Sequence, residues 1–233
     1  MSALRAAGRL ARLAGIAADV LAGRRRLHGA SAAALEVLGV NVLVDGPLPP
    51  QGALLAANHL SWLDPLVVAS LVPCTPIAKA ELSGWPLLGR AARACGVLFV
   101  ERGDATSGLA VKRGAQAVLE RGGRILNFPE GTTTRGDDVL AFRPGLFGTA
   151  RRAGAPVVPV AITLEPAELA WTGDDAFLPH LLALAARRRS EARVRFGAPV
   201  PPLLYRDAAA LAEAVRGRVL ELRGGAPWRR TQP

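Results

Sequence analysis

Three short segments of this chain hold side chains that could take part in one chemical reaction. They are Asn58 to Asp64, Gly96 to Arg102 and Phe128 to Thr132, and each places a histidine, an arginine or a glutamate at or just after a short apolar run. Side chains delivered from the ends of several strands of an α/β sheet can meet at one edge of that sheet. The pattern therefore favours an enzyme.

The first segment contains a histidine and an aspartate five positions apart, His59 and Asp64. In one regular helix this spacing would leave the two side chains about 140° apart, so they could not meet. A loop through Leu60 followed by a helix that begins near Leu63 would instead put Asp64 in the first helical turn, within reach of the imidazole. Asp64 would then fix the tautomer of His59, and His59 would act as a general base.

Two other kinds of site, a serine nucleophile and a metal centre, are not expected from the sequence. Ser61 is not expected to be a nucleophile, because the chain has no Gly-x-Ser-x-Gly sequence, and we predict that it caps a helix or makes a local hydrogen bond. The three histidines are far apart and none forms a His-x3-His pair, so no metal site is expected. A histidine beside an aspartate is often only structural, which leaves its role open at this point.

The other two segments offer an anion-binding group and a turn. Arg102 could bind a phosphate or a carboxylate through its planar fork of donors, or could simply pair with Glu101 or Asp104 at the surface. Glu130 lies between a proline and Gly131, and the glycine permits a tight turn and a close approach of ligand to backbone.

Strands and helices alternate along most of the chain. We predict strands at 40–44, 53–57, 77–79, 97–101, 125–128, 157–163 and 194–196. We predict helices at 63–71, 85–95, 146–152 and 207–223, and another that begins near residue 107 with Thr106 or Ser107 as its cap. This order indicates an α/β fold with a mostly parallel sheet flanked by helices.

The composition of the chain limits the kinds of molecule that it is expected to bind. A net charge of +10 over 233 residues favours an anionic partner, which could be nucleic acid, an acidic membrane surface or a phosphorylated substrate. Nucleic acid is disfavoured, because aromatic residues make up only 5% of the chain and no base-stacking motif is present. The two cysteines form no disulfide framework, which points to a reducing compartment.

The N-terminal segment reads as a basic amphipathic helix over residues 3–22. Residues 1–28 contain six arginines against one acid, Asp19, beside an apolar stripe. This pattern suits an anchor in the interface of an anionic membrane, although the helix could instead pack on its own domain. No apolar run is long enough to span a bilayer. We therefore divide the chain into an anchor (1–28), a catalytic domain (29–223) and a loose tail (224–233).

In order, Asn58-His59-x4-Asp64, Gly96-x2-Phe99-Val100-x-Arg102, Phe128-Pro129-Glu130-Gly131-Thr132 and the apolar run 157–162 resemble the four motif blocks of the glycerolipid acyltransferase family. The resemblance implies transfer of a fatty acyl group from acyl-coenzyme A or acyl carrier protein to a lysolipid hydroxyl, with no other cofactor. It makes His59 the base, oriented by Asp64, with no acyl-enzyme. It assigns Arg102, Glu130, Gly131 and Thr132 to substrate binding, and it implies a peripheral or monotopic enzyme on the cytoplasmic membrane face.

The third block departs from the family pattern. The family commonly continues Glu-Gly-Thr-Arg-Ser, whereas Thr133 and Thr134 follow Thr132 here, and Arg135 or Arg143 could restore the missing charge. The resemblance makes 1-acylglycerol-3-phosphate, giving phosphatidate, the first expected acceptor, and lyso-ornithine lipid or another lysolipid the alternative. A thioester hydrolase and a non-catalytic basic membrane-binding protein are further alternatives; the latter would be expected to lack His59 or Asp64.

Overall fold

A computed structural model describes residues 2–101, 103–173 and 175–225 of the chain. Within these residues the chain forms nine α-helices and seven strands. The helices are α1 Ser2–Leu21, α2 Leu27–Leu38, α3 Asp64–Leu71, α4 Ala80–Ser83, α5 Leu88–Ala94, α6 Ala105–Glu120, α7 Gly145–Ala153, α8 Phe177–Ala186 and α9 Ala208–Gly224. The strands are β1 Val40–Asp45, β2 Leu54–Ala57, β3 Thr75–Lys79, β4 Leu98–Val100, β5 Ile125–Asn127, β6 Val157–Glu165 and β7 Ser190–Phe196.

All seven strands belong to one sheet with the order β1-β7-β6-β2-β5-β3-β4. Strands β6, β2, β5, β3 and β4 are mutually parallel. Strand β7 runs antiparallel to β6, and β1 is parallel to β7. The predicted mostly parallel α/β sheet is confirmed.

Helices cover both faces of the sheet, which explains why its central strand, β2, is apolar at every position. On β2, Leu55 and Ala57 pack into one core, whereas Leu54 and Ala56 pack into the other. All four residues of this strand are buried. Burial on both faces is what a continuous apolar run indicates in a parallel sheet.

The topology brings the three motif segments to one edge. Strands β2, β5 and β4 are parallel members of the sheet, and the first, third and second segments respectively run past their carboxyl ends. The loops that follow parallel strands meet at the same edge, where α/β proteins commonly bind ligands. The carboxyl end of β3, which carries Lys79, adds a fourth contributor to this edge.

The N-terminal helix is present as predicted, but two of its arginines face the protein. Arg5 donates a hydrogen bond to the carbonyl of Ala186 at 3.0 Å, and Arg9 donates to the carbonyls of Arg187 at 2.6 Å and Ala185 at 3.2 Å. These carbonyls end α8 and lack partners within the helix, so the arginines cap it. Of the three arginines on α1, Arg12 remains exposed.

Some local predictions are corrected. Helix α2 was not predicted, and residue 28 lies in its first turn. The helix expected at 85–95 begins only at Leu88, and β4 has three partly buried residues instead of five. Helix α6 is capped by Asp104, whose carboxylate accepts hydrogen bonds from the backbone N–H groups of Thr106 and Ser107, the residues expected to be the cap.

Candidate active site

The site is built around the ion-pair geometry of His59 and Asp64. Chain residues 58–63 form a loop after β2, and α3 begins at Asp64. The Nδ1 atom of His59 lies 2.8 Å from Oδ2 of Asp64. The predicted arrangement of loop, helix start and side-chain contact is therefore present.

Asp64 is fully buried and holds more than the imidazole. Its Oδ2 atom also accepts hydrogen bonds from the backbone N–H groups of Leu60 at 2.6 Å and Ser61 at 2.8 Å. One carboxylate oxygen thus folds the loop around the histidine. Ser61 makes the predicted local hydrogen bonds, but through its backbone: its N–H donates to Asp64 and its carbonyl accepts from the Asp64 N–H. Its hydroxyl is buried and has no hydrogen-bond partner among the described residues, so the side chain is not a helix cap.

The His59 ring is fixed in one orientation and reaches the cavity. It stacks on the ring of Phe128, with centroids 4.1 Å apart, and its side chain is 20% exposed. An ionised carboxylate only accepts hydrogen bonds, so Nδ1 of His59 is the donor toward Asp64. Nε2 then has a free lone pair, and no group in the described part of the chain is hydrogen-bonded to it.

Glu130 is buried beside this loop, and both of its carboxylate oxygens accept hydrogen bonds from backbone N–H groups. Oε1 accepts from His59 at 2.7 Å, and Oε2 accepts from Leu140 at 2.9 Å. Burial raises the pKa of the Glu130 carboxyl, and the hydrogen bonds from Leu140 and His59 oppose that shift. The carboxylate thus joins the histidine loop to the loop that follows β5.

A second bond ties the same two loops together. The backbone N–H of Thr134 donates to the carbonyl of His59 at 2.9 Å. The loop after β5 therefore holds His59 through both its N–H and its carbonyl. Sequence reasoning missed this role of Thr134, because it uses a backbone group and any residue except proline can supply one.

The guanidinium of Arg143 lies against Gly131. A Cβ atom built on Gly131 would be 2.9 Å from both Nε and Cζ of Arg143, closer than a side chain allows. Gly131 has a φ of +73°, which also favours glycine. The Arg143 side chain is exposed and has no hydrogen bond or ion pair to any residue that the structure describes. Arg135, the other arginine considered from sequence, is not among the described residues that line the cavity.

The histidine, Gly131, Thr132 and Arg143 line a cavity of about 690 Å³. Part of its wall is aromatic, formed by Trp62, Trp85, Phe128, Trp171 and Phe177. Other parts are charged, with Lys79, Lys112 and Arg143 as cations and Glu81, Glu101 and Asp104 as acids. The cavity thus offers both an apolar and a charged environment next to His59. Arg102, the predicted anion-binding residue, lies outside the described residues.

A hydrogen bond across the aromatic wall was not predicted. The indole Nε1–H of Trp62 donates to Nδ1 of His180 on α8 at 3.0 Å. The backbone N–H of Trp171 donates to the carbonyl of Leu60 at 2.8 Å. Trp171 and the first residues of α8 therefore bound one side of the cavity and hold the histidine loop. Trp62 and His180 are 118 positions apart, so their contact left no signal in the local sequence pattern.

Two other features, a metal-binding cluster and a membrane-spanning helix, are absent from the described residues. The described residues contain no group of three histidine, cysteine or acidic side chains placed to hold a metal ion. Over the same residues, no helix is both long enough and apolar enough to cross a membrane.

Comparison with known proteins defines the class of this protein. Residues 40–163, which include all the motif segments, match the family model described as Acyltransferase. The chain belongs to this acyltransferase family and is an enzyme of lipid acyl transfer.

Its relatives and a solved structure agree with that assignment. The chain is 39% identical over 190 residues to a lyso-ornithine lipid O-acyltransferase of Pseudomonas aeruginosa, covering 79% of this chain and 73% of the relative. It is 37% identical over 131 residues to a 1-acyl-sn-glycerol-3-phosphate acyltransferase of Neisseria gonorrhoeae, covering 55% of this chain and 51% of the relative. The crystal structure of the 1-acyl-sn-glycerophosphate acyltransferase PlsC from Thermotoga maritima has the same fold, with a TM-score of 0.66 at 22% identity, covering 99% of this chain and 100% of that one.

Proposed function

We propose that this enzyme transfers a fatty acyl group from a thioester to the hydroxyl of a lysolipid, with His59 as the general base. The observation that supports this most directly is the contact of His59 Nδ1 with the buried Asp64 carboxylate at 2.8 Å, because it leaves Nε2 as a basic atom beside the cavity. A base of this kind typically supplies a factor of about 10² to 10⁴ in rate.

The reaction needs one proton to move twice. Nε2 of His59 takes the proton of the acceptor hydroxyl while the oxygen of that hydroxyl attacks the carbonyl carbon of the thioester. The carbon–sulfur bond of the tetrahedral intermediate then breaks, and the leaving thiolate takes the proton from the imidazolium. Asp64 stabilises the imidazolium between these steps. The ester forms directly on the acceptor, so no acyl-enzyme is required.

The donor is proposed to be acyl-coenzyme A or acyl carrier protein, bound as a substrate and not as a resident cofactor. A long acyl chain suits the aromatic wall formed around Trp62 and Phe177, since burial of apolar surface favours binding. The phosphates that both carriers contain would be attracted to cations such as Lys112.

We propose lyso-ornithine lipid as the acceptor to test first, with 1-acylglycerol-3-phosphate second. Two observations favour this order. The relative from Pseudomonas aeruginosa matches over most of both chains, and Thr133 stands where the family commonly has the arginine of its third block. Sequence alone had favoured the opposite order.

The charges of the cavity suit a zwitterionic head group. An ornithine head group carries a carboxylate and an ammonium group, and no phosphate. The guanidinium of Arg143, which has no ion pair to any described residue, is proposed to bind the carboxylate with two parallel hydrogen bonds. The nearby acids Glu81, Glu101 and Asp104 would attract the ammonium group. In this proposal Gly131 makes room for Arg143, Thr132 lines the pocket, and Glu130 shapes it from beneath without touching the ligand.

A radiolabelled acyl-transfer assay tests these proposals. The wild-type enzyme is given acyl-coenzyme A and a panel of lysolipids with ornithine, phosphate and choline-phosphate head groups. Transfer should be fastest to the ornithine acceptor and should be lost in His59→Ala, while His28→Ala, which changes a histidine outside the cavity lining, should keep it. Near-normal transfer by His59→Ala would contradict the mechanism. Thioester hydrolysis that no acceptor suppresses would favour the hydrolase.

We propose that the enzyme works as a peripheral or monotopic protein on the cytoplasmic face of an anionic membrane. Helix α1 supports this through Leu4, whose side chain is 82% exposed, and through the exposed Arg12. Leu4→Ser with Arg12→Gln should weaken binding to anionic vesicles, whereas Leu48→Ser, another highly exposed leucine, should not. If both variants bind anionic vesicles equally well, α1 does not bind the membrane and only packs on the rest of the protein.

A further inference from the structure

The long loop between β5 and α7 holds both backbone groups of His59. Residues 128–144 of this loop contain no helix or strand. Glu130 accepts hydrogen bonds from the N–H groups of His59 and Leu140, and the N–H of Thr134 donates to the carbonyl of His59. The position of His59 therefore depends on what fixes a loop that has no regular structure of its own.

Two arginines of α9 bind carbonyl groups of this loop. Nε of Arg216 donates to the carbonyls of Val139 at 2.8 Å and Leu140 at 3.1 Å. Nη2 of Arg223 donates to the carbonyl of Gly136. The two arginines are seven positions apart, which is about two helical turns, so they lie on the same side of α9. One side of this helix thus binds the loop at two points.

The hydrogen bonds of Arg216 lead to the N–H of His59. The carbonyl of Leu140 accepts from Arg216, and the N–H of the same leucine donates to Oε2 of Glu130. The other carboxylate oxygen of Glu130 accepts from the N–H of His59 at 2.7 Å. Val139, which also accepts from Arg216, is fully buried in the core. The Arg216 side chain is 22% exposed, so these bonds are partly shielded from water.

The hydrogen bond of Arg223 leads to the carbonyl of His59. The N–H of Gly136 donates to Oγ1 of Thr134 at 3.3 Å, and the N–H of Thr134 donates to the carbonyl of His59 at 2.9 Å. Gly136 is also packed between α9 and the histidine loop. A Cβ atom built on it would lie 3.1 Å from Cδ2 of Leu60 and 3.5 Å from Nη2 of Arg223.

Helix α9 is itself fixed to the sheet. The carbonyl of Leu222 on α9 accepts a 2.7 Å hydrogen bond from Arg195 on β7. Four apolar side chains of α9 are buried in one core: Leu211, Ala212, Val215 and Val219. The helix lies beyond residues 40–163, which contain all the motif segments. An anchored element outside the motif segments therefore holds the loop that holds His59.

We propose that Arg216 and Arg223 are positioning residues for the general base. Arg216 fixes the N–H of His59 through the bonds that end at Glu130, and Arg223 fixes its carbonyl through the bonds that end at Thr134. Neither arginine is among the described residues that line the cavity, so both act on the reaction through His59 and not on the acceptor. This rests on the proposed function in that His59 is the base.

Amide hydrogen exchange, followed by NMR on the full-length protein, tests the positioning without any substrate. In Arg216→Ala, the amides of His59 and Leu140 should exchange about tenfold faster than in the wild type, which corresponds to one lost hydrogen bond. In Arg223→Ala, the amide of Thr134 should exchange faster by a similar factor. Wild-type exchange at these amides would overturn the proposal.

Two arginine variants serve as controls. Arg124→Ala also removes hydrogen bonds to backbone carbonyls, those of Pro49 and Pro50 among them, but Arg124 precedes β5 at the opposite edge of the sheet. It should lower the free energy of unfolding in urea and leave exchange at His59 and kcat unchanged. Arg218→Ala, at an exposed position of α9, should change none of these. If Arg124→Ala speeds exchange at His59 as much as Arg216→Ala does, the α9 arginines only stabilise the fold and the proposal is wrong.

Steady-state kinetics test the consequence for the reaction. Arg216→Ala and Arg223→Ala should each lower kcat by about tenfold to a hundredfold, since a displacement of about 1 Å at a catalytic group can cost that much. KM for the acceptor should change by less than about twofold, because the cavity lining is intact. Arg216→Lys keeps a positive donor and should retain part of kcat, and it carries the same test if the alanine variant does not fold. Losses confined to KM would overturn the proposal.

A double variant tests whether Arg216 acts through Glu130. Arg216→Ala combined with Glu130→Gln should lower kcat little more than either change alone, because both changes release the same N–H of His59. Fully additive effects on kcat would overturn this connection. If the wild type transfers no acyl group to any lysolipid, the proposed function fails, while the exchange rates of His59 and Thr134 still decide whether α9 positions the loop.

Discussion

The carboxylate of Glu130 accepts a 2.7 Å hydrogen bond from the backbone N–H of His59, although the two residues are 71 positions apart. The other oxygen of Glu130 accepts from the backbone N–H of Leu140. The buried glutamate therefore positions the histidine loop and does not face the cavity. We therefore expect Glu130 to affect the reaction only through the position of His59.

Glu130→Gln should destabilise the protein and slow catalysis. Glutamine offers one oxygen and one NH₂ group to two N–H donors, so one buried donor loses its partner at a cost of about 1 to 3 kcal/mol. Urea unfolding and kcat measure the two effects, with Glu221→Gln, an exposed glutamate on α9, as the control. An unchanged free energy of unfolding would show that the two hydrogen bonds accepted by Glu130 do not stabilise the fold. A histidine loop that moves should lower kcat more than it raises KM for the acceptor.

The raised pKa of Glu130 gives its contribution to stability a definite pH dependence. The folded state holds the proton more tightly than the unfolded state, where the pKa is about 4.3. The contribution is therefore fully present below the unfolded pKa and is lost as pH rises through the higher folded value. The difference in unfolding free energy between wild type and Glu130→Gln should shrink as pH rises across this window. If this difference grows as pH rises, the hydrogen bonds to the Glu130 carboxylate affect its pKa more strongly than burial does.

Asp64→Asn should preserve the fold of the loop in part but impair the base. The amide oxygen of asparagine can take the place of Oδ2 and accept the same three hydrogen bonds, but it carries no charge and therefore stabilises the imidazolium less. We expect kcat to fall by roughly 10² to 10⁴. Steady-state kinetics with a saturating acceptor measure this, and Asp137→Asn, an exposed acid, provides the reference. If the substitution raises KM and leaves kcat unchanged, Asp64 does not take part in the chemical step.

The contact of His59 with Asp64 was predictable because it is local. A spacing of five excludes a shared helix, so a loop that turns into a helix at Asp64 is the arrangement that lets them meet. The parallel sheet was predictable for a related reason, since strands such as β2 and β6 are apolar on both faces and stand out from the helices between them.

The bonds that complete the site were not predictable. Glu130 and Thr134 act on the backbone of His59, and backbone donors and acceptors are the same at nearly every residue. The choice between Arg135 and Arg143 depended on the path of a loop with no regular structure. Helix α2 was missed because its alanine-rich sequence, Leu27 to Leu38, has a weak apolar stripe and no side-chain cap.

Trp62 and His180 should be energetically coupled. Trp62→Phe keeps an aromatic ring beside Phe177 but removes the N–H that His180 accepts, and His180→Ala removes the acceptor. In a double-mutant cycle measured by urea unfolding, we expect a coupling energy of about 0.5 to 1.5 kcal/mol, the net value of one hydrogen bond. Additive single effects would show that the 3.0 Å contact contributes nothing. Coupled losses in kcat would further show that α8 helps to hold the histidine loop.

Gly131→Ala should act through Arg143. The new methyl group would lie 2.9 Å from the guanidinium and force it away, and the positive φ adds backbone strain of about 1 to 3 kcal/mol. Gly154→Ala is a matched control, because Gly154 also has a positive φ but a Cβ there meets nothing within 4 Å. Both variants should be less stable, but only Gly131→Ala should raise KM for the acceptor. If Arg143 binds the head group, Gly131→Ala should raise KM for the acceptor little further when Arg143 is already replaced by alanine. Fully additive effects on KM would show that Gly131 does not act through Arg143.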